Sequence, residues 1–363
     1  MKRNPLYRKK VPVAAALAVA AVCMFSGCEP ERVPAVDDDR IQIVCTTYPQ
    51  YDWTARLIRG NEENISLTLL MDKGGDLHNF QPSALDIARV SACDLFIYVG
   101  GESDVWVDDA LKEAVNPDQR VINMMEVVSE ALVAEEHVAE GSGHEVQESR
   151  DRHKPREAQE QQEVREQQEF RVQQEPHAHQ EDHGYDEHVW LSLRNAETLV
   201  EYIAAQLAQI DSGNATLYRR NKDQYTAALR ALDTQYAKAV YEGRFHTLLF
   251  ADRFPFRYFV EDYGLDYYAA FDGCSAETEA SFETVAYLSD KLEELELGSV
   301  IVLDGSDDRL ARVIIESAGA KSRRILVLNS LQSVSRRDIG SGLSYLNAME
   351  ENLKVLRQAL GQP

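Results

Sequence analysis

The feature that most constrains this chain is the alternation of short apolar runs with helical patterns. This alternation occurs in two stretches of the sequence, which are separated by one long predicted helix. The apolar runs are rich in β-branched and aromatic residues, as strands are, and a helical spacing follows most of them. The predicted strands are residues 41–47, 65–70, 94–99 and 120–122 in the first stretch and 247–250, 266–270, 299–303 and 324–328 in the second. Strands that alternate with helices favour parallel sheets covered on both faces. We therefore predict an α/β fold with two lobes.

The segment between the two stretches predicts one long helix with a continuous apolar face. The positions on that face are Tyr218, Tyr225, Leu229, Leu232, Tyr236 and Val240. They recur at helical spacing over about 25 residues, which is about 38 Å of helix. No glycine or proline interrupts the run. We expect this helix, within residues 211–242, to join the lobes stiffly, so that any closure of one lobe on the other is small.

The first residues have the pattern of a bacterial export signal. Five basic residues precede position 11, and an apolar run from Val11 ends in the sequence Phe25-Ser-Gly-Cys28. This run is too short and too early for the spanning helix of a mature protein, and its end resembles a lipobox. We expect residues 1–27 to be a signal peptide, Cys28 to carry the lipid, and the acidic residues 28–40 to be a tether. The protein would then be extracytoplasmic and anchored to the cell membrane.

Charge and cysteine content exclude several classes of protein. Acidic residues outnumber lysine plus arginine by 61 to 38, for a net charge of -23, which disfavours a nucleic-acid partner and suits a cationic ligand. The five cysteines contain no CxxC pair, which excludes a disulfide-dense scaffold and a zinc ribbon. Cys45, Cys93 and Cys274 would remain in the mature chain. The sequence is compatible with at most one disulfide among them and equally with buried thiols.

Residues 134–187 form a segment of different composition. They are rich in Gln and Glu, almost free of large apolar side chains, and hold six of the nine histidines. Such a segment buries too little apolar surface to fold by itself, so we expect it to be disordered. Chance clustering and a metal-collecting loop are the two interpretations, and the close spacing of His177, His179 and His183 favours the loop.

Two further histidines and two carboxylates follow predicted strands or turns. His78 follows the second strand, His188 lies where the polar segment ends, and Asp252 and Asp304 follow strands of the second lobe. Ligands of open α/β sheets bind outside the carboxyl ends of the strands. Two imidazoles facing carboxylates would suit Zn²⁺ or Mn²⁺, although each histidine alone is also compatible with an ordinary structural role.

Several segments together resemble one family of receptors. They are Thr47-Tyr-Pro-Gln-Tyr, His78-Asn-Phe-Gln-Pro-Ser, His188-Val-Trp-Leu, Tyr258-Phe-Val-Glu-Asp-Tyr-Gly-Leu and Gly273-Cys-Ser-Ala-Glu-Thr-Glu-Ala-Ser. In order and spacing they are similar to the zinc and manganese receptors of ABC importers, the ZnuA/TroA-like group, over nearly the whole mature chain.

The resemblance implies a fold, a cargo and partners. It implies two Rossmann-like lobes, residues 41–210 and 243–363, that are joined by a rigid helix and hold a metal ion in the cleft between them. The metal, Zn²⁺ or alternatively Mn²⁺, would be passed to an ABC permease and its ATPase by a monomeric receptor that is not an enzyme. The family ligands map onto His78, His188 and Asp304.

One position departs from the family pattern. Arg253 stands where the resemblance implies a third ligand, and an arginine has no lone pair to give. Asp252, Glu277 or Glu279 could replace it, or water or a histidine of the polar segment could complete the site, and Arg253 could itself pair with a nearby carboxylate. An adhesin or metal buffer of the same fold remains the alternative function, whereas the absence of an HExxH motif or a nucleophile elbow disfavours a zinc hydrolase.

Overall fold

A computed structural model describes residues 39–134, 184–273, 280–319 and 322–362. The chain divides between Asp39 and Arg40, and both sheets belong to the compact unit Arg40–Pro363. The predicted signal peptide, Cys28, most of the polar segment with His177, His179 and His183, and Glu277 lie outside the described residues. Within the described ranges, no helix has both the length and the apolar character needed to span a membrane.

The first lobe is built on a parallel sheet of four strands. Its strands are β1 (Ile41–Cys45), β2 (Ile65–Leu69), β3 (Leu95–Tyr98) and β4 (Arg120–Asn123), in the order β2-β1-β3-β4. At the centre, Val44 of β1 is paired with Thr68 of β2 on one side and Phe96 of β3 on the other. The helices of this half are α1 (Tyr48–Leu57), α2 (Ala84–Ala92), α3 (Trp106–Lys112), α4 (Met124–Val127) and α5 (Leu193–Ile210).

The second lobe repeats the arrangement with a sheet of its own. Its strands are β5 (Thr247–Arg253), β6 (Asp266–Phe271), β7 (Ser299–Leu303) and β8 (Arg324–Leu328), in the order β6-β5-β7-β8 and again parallel. Its helices are α7 (Arg257–Tyr263), α8 (Phe282–Glu294), α9 (Arg309–Ser317), α10 (Arg336–Gly340) and α11 (Tyr345–Ala359). The predicted α/β fold with two parallel sheets is thereby confirmed.

The long helix between the sheets is α6 (Ala215–Tyr241), whose 27 residues span about 40 Å. All six positions of the predicted apolar face are buried. Near its start, Asn221 donates a hydrogen bond to Leu57 O of the first lobe at 2.8 Å. Near its end, the Tyr236 hydroxyl donates to Met349 O of the second lobe at 2.5 Å. The helix is therefore bonded to both lobes, as a stiff connection requires.

The two lobes share one apolar core. The largest buried cluster takes side chains from both sheets and from the long helix. Across the boundary, the ring of Trp53 in α1 meets Tyr345 in α11 edge to face, with centroids 5.0 Å apart, and the indole of Trp190 donates to Ser330 O at 2.9 Å. Two thiols, Cys45 and Cys93, are buried and free.

Helix α1 begins earlier than the apolar spacing predicts. The apolar spacing of the sequence predicts a helix over residues 53–60, which ends at Gly60, whereas the helix begins at Tyr48, directly after Thr47. The side-chain oxygen of Gln50 accepts the backbone N–H of Thr47 at 3.1 Å, and Pro49 lies in the first turn, where its missing N–H is tolerated. Capping chemistry, which apolar periodicity does not report, fixes this start.

Candidate metal centre

Two loops of the first lobe bring His78 and His188 together. His78 lies in a single 3₁₀ turn, Leu77–Asn79, after β2, and His188 directly precedes another, Val189–Leu191. Their imidazole rings are 5.4 Å apart between centroids and inclined at 64°. Two imidazoles that share a tetrahedral ion, with Zn–N bonds of about 2.0–2.1 Å, have ring centroids about 5 Å apart. The observed separation therefore suits one shared ion.

The same local motif positions both histidines. In each case an aspartate two residues earlier accepts the histidine's own backbone N–H, at 3.1 Å for Asp76 and His78 and at 2.8 Å for Asp186 and His188. Asp and Asn side chains stabilise turns in this way because their short arms reach the backbone two residues on. The sequence Asp-x-His thus builds a tight turn that presents an imidazole.

The Nδ1 atoms of both rings are held by polar groups of the first lobe. Nδ1 of His188 donates to Asp186 Oδ1 at 3.0 Å, and Nδ1 of His78 is hydrogen-bonded to Ser103 Oγ at 2.8 Å, with Glu187 Oε2 at 3.7 Å. A histidine held at Nδ1 by an acceptor presents its Nε2 lone pair, which is the arrangement found behind most histidine ligands of metals.

Both Nε2 atoms face one side chain of the second lobe, the buried Gln332. Its amide nitrogen lies 2.8 Å from His188 Nε2 and 3.3 Å from His78 Nε2. An amide NH₂ has two hydrogens to donate and no lone pair to accept with, so both Nε2 atoms act as acceptors here. The amide therefore occupies the point at which the two imidazole lone pairs converge.

Burial keeps the His78 imidazole neutral. Removal from water lowers the pKa of His78 to about 4, and the neighbouring His188 lowers it further, against the opposing effect of Asp76. Only the neutral ring has a lone pair for a metal ion. His78 is thus able to bind a cation at neutral pH and well into the acidic range.

Carboxylates lie behind the two rings. Burial raises the pKa of Glu187, and its Oε2 has no hydrogen-bond partner among the residues that the structure describes. Asp104 is also buried, and burial raises its pKa to about 6. The hydrogen bonds that it accepts from the backbone N–H groups of Gly100 and Val99 oppose this rise. Glu187 Oε2 lies 3.7 Å from His78 Nδ1 and Asp186 Oδ1 lies 3.0 Å from His188 Nδ1, so these two carboxyl groups can offset the charge of a bound cation.

The two predicted carboxylate ligands of the second lobe are engaged within that lobe. Asp304 Oδ1 accepts the backbone N–H of Ser330 at 2.8 Å and its hydroxyl at 3.2 Å. Asp252 accepts the backbone N–H groups of Arg253 at 2.8 Å and of Leu303 at 3.0 Å. No set of three His, Cys, Asp or Glu side chains is placed to hold one ion in the described ranges. The structure brings His78 and His188 together, and it holds one oxygen of Asp304 and both oxygens of Asp252 in hydrogen bonds within the second lobe.

Arg253 makes the ion pair that the sequence left open. Its guanidinium Nη1 donates to Asp76 Oδ2 at 2.6 Å, so one carboxylate bonds both this arginine and the backbone of His78. Burial alone would raise the pKa of Asp76, but the hydrogen bond and charge of Arg253, with the His78 amide, hold it below its usual range.

Sequence reasoning missed Gln332. It lies in Leu328-Asn-Ser-Leu-Gln332, directly after β8 and at the same sheet edge as Asp304. Imidazoles and carboxylates stand out in a sequence as candidate metal ligands, whereas a neutral amide does not. The position after the last strand of the sheet was the signal that could have found it.

Two α/β lobes with two imidazoles converging at their boundary define a two-lobed α/β protein with a candidate cation site. Residues 43–359 match the model of the family "zinc-uptake complex component A periplasmic", ZnuA. The chain belongs to this family.

Named relatives and solved structures agree with this assignment. The chain is 28% identical over 325 residues to the high-affinity zinc uptake system protein ZnuA of Bacillus subtilis, covering 89% of this chain and 88% of that one. It is 27% identical over 325 residues to the zinc-binding lipoprotein AdcA of Streptococcus pneumoniae, covering 90% of this chain but only 57% of AdcA; the chain therefore spans little more than half the length of AdcA. The crystal structure of the Zn(II)-bound ZnuA-like domain of that AdcA has the same fold, with a TM-score of 0.63 and 23% identity over 89% of this chain and 100% of that domain.

Proposed function

We propose that this protein is an extracytoplasmic receptor that captures Zn²⁺ between its lobes and delivers it to an ABC permease. The observation that carries the proposal is the convergence of two Nε2 lone pairs, each fixed from its Nδ1 side, on one point at the lobe boundary. Imidazole is a preferred ligand of Zn²⁺. The names of the relatives and the family membership support the same cargo and the same partner.

We propose His78 and His188 as two ligands and Gln332 as a third donor. Rotation of the Gln332 amide about its last torsion angle exchanges nitrogen for oxygen and turns Oε1, which has lone pairs, toward the converging imidazoles. Asp304 would then support the ion through the Ser330 loop that carries Gln332. Asp252 stays a predicted ligand, although both of the hydrogen bonds described above for it lie within the second lobe. Glu277 also stays a predicted ligand.

Localisation belongs to the same proposal. The lipid anchor at Cys28 would keep the receptor next to its permease, and the histidines at 177, 179 and 183 would collect metal near the cleft. Replacement of Cys28 with Ser would release the protein from the membrane fraction if the anchor is real. A variant that stays in that fraction would contradict this part of the proposal.

The central test is the metal content of the mature protein, residues 29–363, after dialysis. A double variant, His78→Ala with His188→Ala, removes both imidazoles, and deletion of residues 137–183 removes the polar segment alone. We expect one zinc ion in the wild type and in the deletion variant and none in the double variant. Zinc that disappears with the deletion but survives in the double variant would instead favour a metal buffer or adhesin.

A further inference from the structure

One ion pair joins the second lobe to the turn that carries His78. Arg253 Nη1 lies 2.6 Å from Asp76 Oδ2, and the two side chains are 25% and 14% exposed. The other oxygen of Asp76 accepts the backbone N–H of His78 at 3.1 Å. A single carboxylate therefore connects a guanidinium of one lobe to the backbone of a metal-facing residue of the other.

The backbone of β5 holds Arg253 in this position. The pairing of β5 with β6 shifts register between Phe250 and Arg253, and such irregularities redirect the side chains that follow them. Asp252 then ties the end of β5 to β7 by accepting the backbone N–H of Leu303 at 3.0 Å. The guanidinium is thus set by the sheet of the second lobe and not by the loop that it contacts.

A second contact between the lobes offers an internal comparison. Arg336 of α10 is paired with Asp72, its backbone N–H donates to Asp72 O at 2.8 Å, and Lys73 and Ser335 form an antiparallel bridge. This pair also joins the second lobe to the loop after β2. Unlike Asp76, Asp72 makes no hydrogen bond to His78 within the described residues.

We propose that the Arg253–Asp76 ion pair is an interlobe clasp that positions His78 whether or not a metal ion is bound. This inference rests on the proposed function, in which His78 is a ligand. With the clasp in place, the second lobe stays closed over the site without the ion acting as the bridge between lobes. Release of the ion then requires this ion pair to open. Arg253 acts through Asp76 and His78 and is a positioning residue.

The first test compares zinc release from Arg253→Gln, Asp76→Asn and the double variant in stopped-flow competition with a chelator. We expect each single variant to release zinc about tenfold faster, because losing one partner of a partly buried charge pair acts mainly on dissociation. The double variant should be no faster than either single one, since both remove the same interaction. The matched control, Arg336→Gln, should stay within about twofold of the wild type, because the Arg336 side chain is exposed and its partner Asp72 makes no hydrogen bond to His78 within the described residues.

The direction in which each single variant changes the rate of zinc release distinguishes an interlobe clasp from electrostatic repulsion of the cation by Arg253. If Arg253 acted only by repelling the cation, its removal would slow release while Asp76→Asn would accelerate it. Opposite effects of the two variants would therefore overturn the proposal. Arg253→Lys keeps the charge with a less complementary donor and should fall between the wild type and Arg253→Gln, which provides a second variant should Arg253→Gln fail to fold.

The second test needs no metal. Amide hydrogen exchange of His78, followed by NMR in metal-free protein labelled with ¹⁵N-histidine, reports the turn directly. We expect exchange about tenfold faster in Arg253→Gln and unchanged exchange in Arg336→Gln, because opening of the turn exposes this amide. Unchanged exchange in Arg253→Gln would overturn the clasp even if the wild type binds zinc. A wild type without zinc would overturn the proposed function and leave this measurement to decide on the clasp.

Discussion

The amide nitrogen of Gln332 lies 2.8 Å from Nε2 of His188, so a side chain of one lobe meets an imidazole of the other at the point proposed for the metal ion. The imidazole is held from behind by Asp186 at 3.0 Å. Because the histidine is fixed from behind, the amide is the group that must turn or withdraw when a cation binds. The identity of residue 332 should therefore set how tightly the site holds its cargo.

Replacement of Gln332 with Glu should tighten zinc binding. A carboxylate of the same length adds a full negative charge to a set of neutral donors, and we expect the dissociation constant to fall by about tenfold or more, or about 1.4 kcal/mol. Competition with a chromophoric chelator measures it. Gln224→Glu, at an exposed site on α6, adds the same charge far from the imidazoles and should have no effect. An unchanged constant in Gln332→Glu would remove Gln332 from the proposed ligands.

Two variants of Asp304 distinguish a ligand from a support. Asparagine can still accept the Ser330 hydrogen bonds, whereas alanine cannot. We expect Asp304→Asn to stay within about threefold of the wild-type zinc affinity and Asp304→Ala to lose about tenfold, as the loop that carries Gln332 loosens. If Asp304→Asn instead loses as much affinity as Asp304→Ala, the carboxylate charge itself matters, and the original prediction of Asp304 as a ligand would be favoured.

The neutral state of His78 makes the metal-free protein sensitive to acid. Its pKa is about 4 in the folded protein against 6.5 for an ordinary histidine, because burial and then His188 disfavour the charged ring. Between these values the unfolded chain binds a proton that the native state does not, so the free energy of unfolding decreases as the pH falls. We expect this residue to remove about 2 kcal/mol between pH 7 and pH 5. Urea unfolding in the presence of a chelator measures it.

His78→Asn is the control for that measurement. The variant lacks the titrating group but keeps a polar side chain in the turn. Its free energy of unfolding should change less between the two pH values, by the amount attributed to His78. An equal pH dependence in both proteins would show that the His78 ring is protonated as easily in the folded state as in the unfolded chain.

The apolar face of the long helix should be a major source of stability. Leu229 is fully buried on this face, and its replacement with alanine should lower the free energy of unfolding by about 3 kcal/mol, within the range measured for buried leucines. Denaturant unfolding at constant pH measures the change. Arg219→Ala, at an exposed position of the same helix, should change stability by less than about 0.5 kcal/mol. Similar values for the two variants would contradict the assigned packing.

Apolar periodicity was sufficient to predict most of the fold. Both sheets lie where β-branched runs occur, and the long helix buries the six predicted positions, because these patterns reflect which face of each element leaves water. The start of α1 was wrong because the hydrogen bond from Thr47 to Gln50 decides it, and a capping interaction adds no apolar residue to the pattern.

The candidate site was predictable only in part. The two histidines stood out by residue type and by their place after strands and turns. The hydrogen bonds of Asp252 to Leu303 and of Asp304 to Ser330 depend on how neighbouring strands end, which a single sequence does not report. Gln332 escaped notice because a neutral amide carries no chemical signal until its neighbours are known.

The apolar core that spans both lobes has a consequence for how the molecule comes apart. Trp53 of the first lobe and Tyr345 of the second are packed edge to face in one buried cluster. Because unfolding of either lobe would expose apolar surface of the other, we expect the two lobes to unfold in one cooperative transition. We expect a protein built this way to unfold as a whole when it holds no metal ion, without passing through a state in which one half is folded and the other is not.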